Sequence, residues 1–106
     1  VLGIMNNTKW NEIFKKFYNE ECCNRERKIR LRTLDKGNGH LSPWDETWTH
    51  FGCEPIEWEM IEYLQIQLTD ENREFVLSSL KEVHVPGVVE DDIATVYGYR
   101  HDVDYI

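Results

Sequence analysis

The amino-acid sequence predicts an α+β fold: a mostly antiparallel sheet of about five strands with two helices on one face, in the order α-β-β-β-β-α-β. Three observations point there. Large apolar residues recur at helical spacing near the start of the chain. The period then changes to two from residue 28, and residues 93–99 are apolar or aromatic at nearly every position. A length of 106 residues with 41% hydrophobic and 12% aromatic content suits one folded domain, 1–106, with a real core.

The first helix is expected over roughly Thr8–Cys22. Trp10, Ile13, Phe14, Phe17 and Tyr18 fall at i, i+3, i+4, i+7 and i+8, with Asn7 or Thr8 as the cap and Lys9, Glu12, Lys15, Lys16 and Asn19 on the wet side. From Lys28, Ile29, Leu31 and Thr33 alternate with Lys28, Arg30 and Arg32, as on a half-buried antiparallel strand. Asp35-Lys36-Gly37-Asn38-Gly39 reads as a turn. A second strand is expected over His40–Trp44, with Pro43 pushing it toward an edge, and a third over Thr47–Phe51.

Residues 56–68 admit two readings. Pro55 can open a short helix through Ile56, Glu57, Met60 and Tyr63, or the stretch can be a strand. A strand over Glu62–Leu68, with Leu64, Ile66 and Leu68 inward and Tyr63, Gln65 and Gln67 outward, is preferred. Thr69-Asp70-Glu71-Asn72 then starts a helix cleanly. That helix should run to about Glu82 on an inner stripe of Phe75, Val76, Ser79, Leu80 and Val83. Val85-Pro86-Gly87 ends it, a loop follows through Glu90-Asp91-Asp92, and Ile93–Tyr99 is a strand suited to the middle of the sheet. Tyr105-Ile106 is expected to dock rather than fray.

Charge is the chief guide to function. The formal net charge is −8, and it is divided unevenly. Residues 1–53 hold nine of the twelve Lys/Arg against seven Asp/Glu, whereas residues 54–106 hold the other three against thirteen. Such asymmetry bears on partners and solubility rather than on fold. The preferred expectation is a non-enzymatic binding protein, of the immunity-inhibitor kind, that offers an acidic surface with aromatic anchors to a basic protein partner. Glu57, Trp58, Glu59, Glu62, Asp91, Asp92, Tyr97 and Tyr99 are its expected contact residues. A homodimer joined through exposed aromatic strands is the second reading, and an enzyme with an acidic divalent-metal pocket the third. Of the four tryptophans most are expected in the core, with Trp44 or Trp48 a candidate for a contact surface.

Other chemistries find little support. His50-Phe51-Gly52-Cys53 offers a His-x-x-Cys step, but the adjacent Cys22-Cys23 cannot easily turn both thiols to one ion, so neither a metal site nor any cofactor is expected. Glu90-Asp91-Asp92 and His101-Asp102-Val103-Asp104 lack the spacing of an EF-hand and read as solvated acidic loops. No nucleophile-and-base signature appears, so no catalytic residue is assigned. Arg25, Arg27, Lys28, Arg30 and Arg32 make a basic patch, yet the overall acidity opposes a polyanion, and nucleic acid is not expected. Three cysteines do not form a disulfide framework, no apolar run reaches membrane-spanning length, and no signal peptide is read in the first residues. A cytoplasmic protein with no membrane partner is the expectation.

Met5-Asn6-Asn7-Thr8-Lys9-Trp10, Trp48-Thr49-His50-Phe51 and His84-Val85-Pro86-Gly87 together resemble an uncharacterised family of short bacterial proteins. The resemblance spans nearly the whole chain after Met5. It implies a bacterial protein and brings no activity, cofactor or catalytic residue.

Overall fold

The helical stripe near the start does form one helix, α1 (Asn7–Cys23), which buries Trp10, Ile13 and Phe17. The fold is seen in a computed structural model that describes residues 7–23, 29–37, 39–46, 48, 51, 58–99 and 104–106. Tyr18, expected on the inner stripe, sits beyond its margin: it is exposed and stacks on the half-buried Phe14. After α1 come β1 (Leu31–Asp35), a 3₁₀ turn at Trp58–Met60, β2 (Ile61–Gln67), α2 (Arg73–Val83), β3 (Gly87–Glu90) and β4 (Ile93–Tyr97).

The four strands form one sheet in the order β1-β2-β4-β3, with every pair antiparallel. The α+β class holds, but the five strands and the order expected from sequence are corrected on three counts. His40–Trp44 is not a strand: Leu41 and Asp45 each make a single bridge to β1, and Pro43 between them has no amide to donate. Trp48 and Phe51, placed in a third strand by their aromatic character, adopt 3₁₀ geometry and sink into the core, while 47, 49 and 50 lie outside the described residues. Conversely, part of the expected loop before Ile93 is β3, an edge strand that starts just after Pro86. Gly87 is required there. A Cβ at that position would stand 2.1 Å from the carbonyl oxygen of Thr95.

Register separates the two faces of the sheet. Leu31↔Ile66↔Ala94 and Thr33↔Leu64↔Val96 form inner rows, and Ile66, Ala94, Leu64 and Val96 are fully buried. Both helices cover this side. Val76, Leu80 and Val83 of α2 join Trp10, Ile13 and Phe17 in one core with Trp48 and Phe51. Phe17 stacks on Trp48 at 4.6 Å, and Trp48 donates its indole N–H to the carbonyl of Ile29 at 2.9 Å, so the polar atom of a buried ring is satisfied.

The start of α2 is held by Asn72, which is fully buried. Its Oδ1 accepts the Thr69 amide at 2.8 Å and its Nδ2 donates to Gln67 O at 3.2 Å, fastening the loop to the end of β2. The residues 104–106 dock as expected. Gly87 donates to Asp104 O, Ile106 donates to Val85 O, both at 2.9 Å, and Tyr105 stacks on His84 at 4.3 Å. No helix among the described residues is long and apolar enough to cross a membrane.

Candidate functional site: the uncovered sheet face and its acidic end

Because both helices lie on the inner side, the outer rows of the sheet have no helix over them. The middle row is Arg32↔Gln65↔Thr95↔Val88, flanked by Leu34↔Tyr63↔Tyr97 toward one end and by Gln67↔Ile93↔Glu90 toward the other. Polar side chains link the middle row across three strands. Arg32 Nε donates to Gln65 Oε1 at 2.6 Å, and Gln65 Nε2 donates to Thr95 Oγ1 at 3.3 Å. The Arg32 guanidinium also lies 4.4 Å from the ring centre of Trp44, a cation–π contact with the segment bridged to the outer edge of β1. Between this assembly and the β3–β4 turn opens a groove of about 400 Å³, with Gln65, Gln67 and Thr95 in its floor and Glu90, Asp91 and Asp92 at its far wall.

The turn is acidic for a local reason and gains acidic neighbours for a tertiary one. Two residues connect β3 to β4, and Asp91 takes φ 52°, a left-handed conformation that aspartate tolerates better than most residues. Leu68 then donates its amide to Asp92 O at 2.6 Å. Arg73 donates to Asp91 O at 3.1 Å and pairs with the Asp92 carboxylate at 3.0 Å. These bonds bring the exposed Asp70, Glu71 and Glu74 of the β2–α2 connection and first helical turn beside Glu90, Asp91 and Asp92. Among the described residues, Arg73–Asp92 is the ion pair in this cluster, so the remaining carboxylates keep a local surplus of negative charge.

Among the described residues, the expected contact residues lie in separate places. Asp91 and Asp92 come together at the acidic end. Glu62 lies at the opposite end of β2, five residues from Gln67, about 17 Å away at strand rise. Tyr97 faces Tyr63 edge-on at 6.1 Å on the uncovered face, and Tyr99 lies beneath the Lys36 ammonium at 4.1 Å. Trp58 packs on the core edge instead: its indole donates to Phe51 O at 2.8 Å and its ring lies near those of Phe14 and Phe51. Glu57 and the side chain of Glu59 lie outside the described residues.

The chain matches the family of unknown function DUF6678 over residues 1–103. It belongs to that family. No curated protein and no solved structure is significantly similar to it. Membership in DUF6678 therefore brings no activity or partner, and the site must be read from its own chemistry.

That chemistry includes residues the sequence did not single out. Arg32 is one of five basic residues between positions 25 and 32, and only its pairing with Gln65 and Trp44 sets it apart. Trp44, one of the two tryptophans considered for a contact surface, is half-buried on the uncovered side, while Trp48 is in the core. Asp70, Glu71 and Glu74 look like ordinary first-turn acids until the hydrogen bonds to the neighbouring turn place them. Among the described residues no three His, Cys, Asp or Glu side chains converge as metal ligands. His50, Cys53 and the side chains of Cys22 and Cys23 lie outside the described residues.

Proposed function

We propose that the protein acts without catalysis, as a binding module that presents the acidic end of an uncovered sheet face to a basic protein partner. The reading rests on one observation: two acidic segments far apart in sequence are fastened side by side, with the Arg73–Asp92 ion pair between them. Exposed carboxylates at a rim act chiefly on the rate of encounter, and a net charge of −8 adds a long-range field of the same sign. Tyr63, Tyr97 and Trp44 on the adjoining face supply the amphipathic surface that holds a complex after encounter. An immunity-type inhibitor of a basic toxin in a bacterial cytoplasm is a protein of this kind.

The test is kinetic. Association with the purified partner, followed by stopped flow, should slow at least tenfold between about 0.01 M and 1 M salt, as the Debye length falls from about 30 to about 3 Å. Glu90→Lys with Asp91→Lys should lower the low-salt rate and leave the high-salt rate nearly unchanged. A rate indifferent to salt contradicts the reading. A stable self-dimer by light scattering, with the uncovered face buried in it, favours the homodimer instead.

A further inference from the structure

The groove is not uniformly acidic, and its polarity narrows what it takes. At one end the Arg32 guanidinium is fixed from two sides, by the Gln65 carbonyl oxygen at 2.6 Å and by the Trp44 ring at 4.4 Å. Gln65 is in turn anchored on Thr95, which is only 7% exposed. Among the described residues these contacts use Nε and the ring face, and the two Nη groups make no hydrogen bond. A guanidinium immobilised in this way suits a carboxylate, which it grips through two parallel N–H···O bonds. At the other end stand Glu90, Asp91 and Asp92, of which Asp92 is paired with Arg73.

Spacing follows from the strand order. Strands β1 and β3 are three strand intervals apart, about 14 Å, and the side chains reaching in from either side shorten the gap. A ligand that satisfies both ends carries opposite charges two or three residues apart on an extended chain, at about 3.4 Å per residue. A volume of about 400 Å³ holds a segment of that length.

We infer that the groove receives an extended segment of the partner protein in which an arginine or lysine stands two or three residues from an aspartate or glutamate. The cation lies at Glu90 and Asp91, and the carboxylate lies on Arg32. The inference rests on the protein-docking reading above and adds a restriction that a plain acidic surface lacks. A plain acidic surface prefers polybasic segments, whereas Arg32 repels a cation at its end of the groove.

Selection of a random heptapeptide library on the folded protein at low salt tests this, followed by titration of the enriched sequence as a blocked synthetic peptide. The expected consensus pairs one basic and one acidic residue at the stated spacing. Arg32→Gln, and separately Glu90→Gln with Asp91→Asn, should each weaken the peptide at least tenfold while the far-UV circular dichroism and the urea midpoint of the fold are unchanged. Selection on Arg32→Glu should replace the acidic position of the consensus with a basic one. Enrichment of polybasic peptides indifferent to Arg32→Gln overturns the groove while leaving acidic docking in place. Peptides without basic residues overturn both. No enrichment, or binding of free amino acids in its stead, removes the groove as a peptide site.

Discussion

Replacing Trp48 by phenylalanine tests the division of the molecule into a covered and an uncovered side. Trp48 is 1% exposed, stacks on Phe17 and donates its indole N–H to the carbonyl of Ile29. Trp48→Phe removes that donor and leaves a buried carbonyl without its partner, which costs about 1–3 kcal/mol. The lost ring leaves a void of some tens of Å³ which, at about 24 cal/mol per Å³, adds about 1 kcal/mol. The sum is about 2–4 kcal/mol, or a fall in Tm of about 10 °C or more for a domain of this size. Trp44→Phe is the matched control. Trp44 is half-buried on the open face, where its described contact is the Arg32 guanidinium, and its loss should cost under about 1 kcal/mol. Urea denaturation monitored by far-UV circular dichroism gives both values without depending on which tryptophan fluoresces. Equal costs for the two variants would refute the assignment of faces.

Asn72→Ala removes the acceptor of the Thr69 amide and the donor to Gln67 O from a fully buried position, so a loss of about 1–3 kcal/mol is expected in urea melts. Amide exchange at residues 69–71 should rise with it. Gly87→Ala places a Cβ 2.1 Å from Thr95 O and 2.9 Å from Ile106 Cδ1, which should force β3 from β4. The expected cost is about 1–3 kcal/mol or more, with faster exchange of the amides paired between the two strands. Glu82 carries a pH signature. The hydrogen bond from Lys16 and then its positive charge hold the Glu82 carboxyl below the ordinary carboxylate range, against a smaller opposing desolvation. A carboxylate whose pKa is lower folded than unfolded contributes stability at neutral pH that is lost as pH falls through the folded value. The stability difference between the natural protein and Glu82→Gln should therefore shrink as the pH drops through that range, and a difference that grows in acid would contradict it.

Local pattern made both helices and the two central strands legible. The helical spacing of Trp10, Ile13 and Phe17 and the Thr69–Asn72 start signal each lead to an observed helix. Alternation at 62–68 separates the buried Leu64, Ile66 and Leu68 from Gln65 and Gln67 on the open side. The apolar run from Ile93 does occupy a central strand, although it ends at Tyr97. The His40–Trp44 strand fails locally, at Pro43, whereas at two other places local signals are outweighed by partners distant in sequence. Pro86-Gly87 looks like a break, yet Gly87 allows β3 its close approach to Thr95. Trp48 and Phe51 look like strand residues, yet the rings of α1 and the carbonyl of Ile29 draw them into the core. The candidate site was legible in its acidity but not in its placement. Nothing in the sequence shows that Leu68 and Arg73 reach the Asp91–Asp92 turn, or that Glu62 stands at the far end of the strand.

Paired relaxation measurements with a cationic and an anionic paramagnetic cosolute read the local potential at each amide proton directly. The cationic agent should relax the amides of 70–74 and 90–92 far more than the anionic one, with a much smaller ratio around Lys36 and Tyr99. Equal relaxation by the two agents at both places would contradict this expectation.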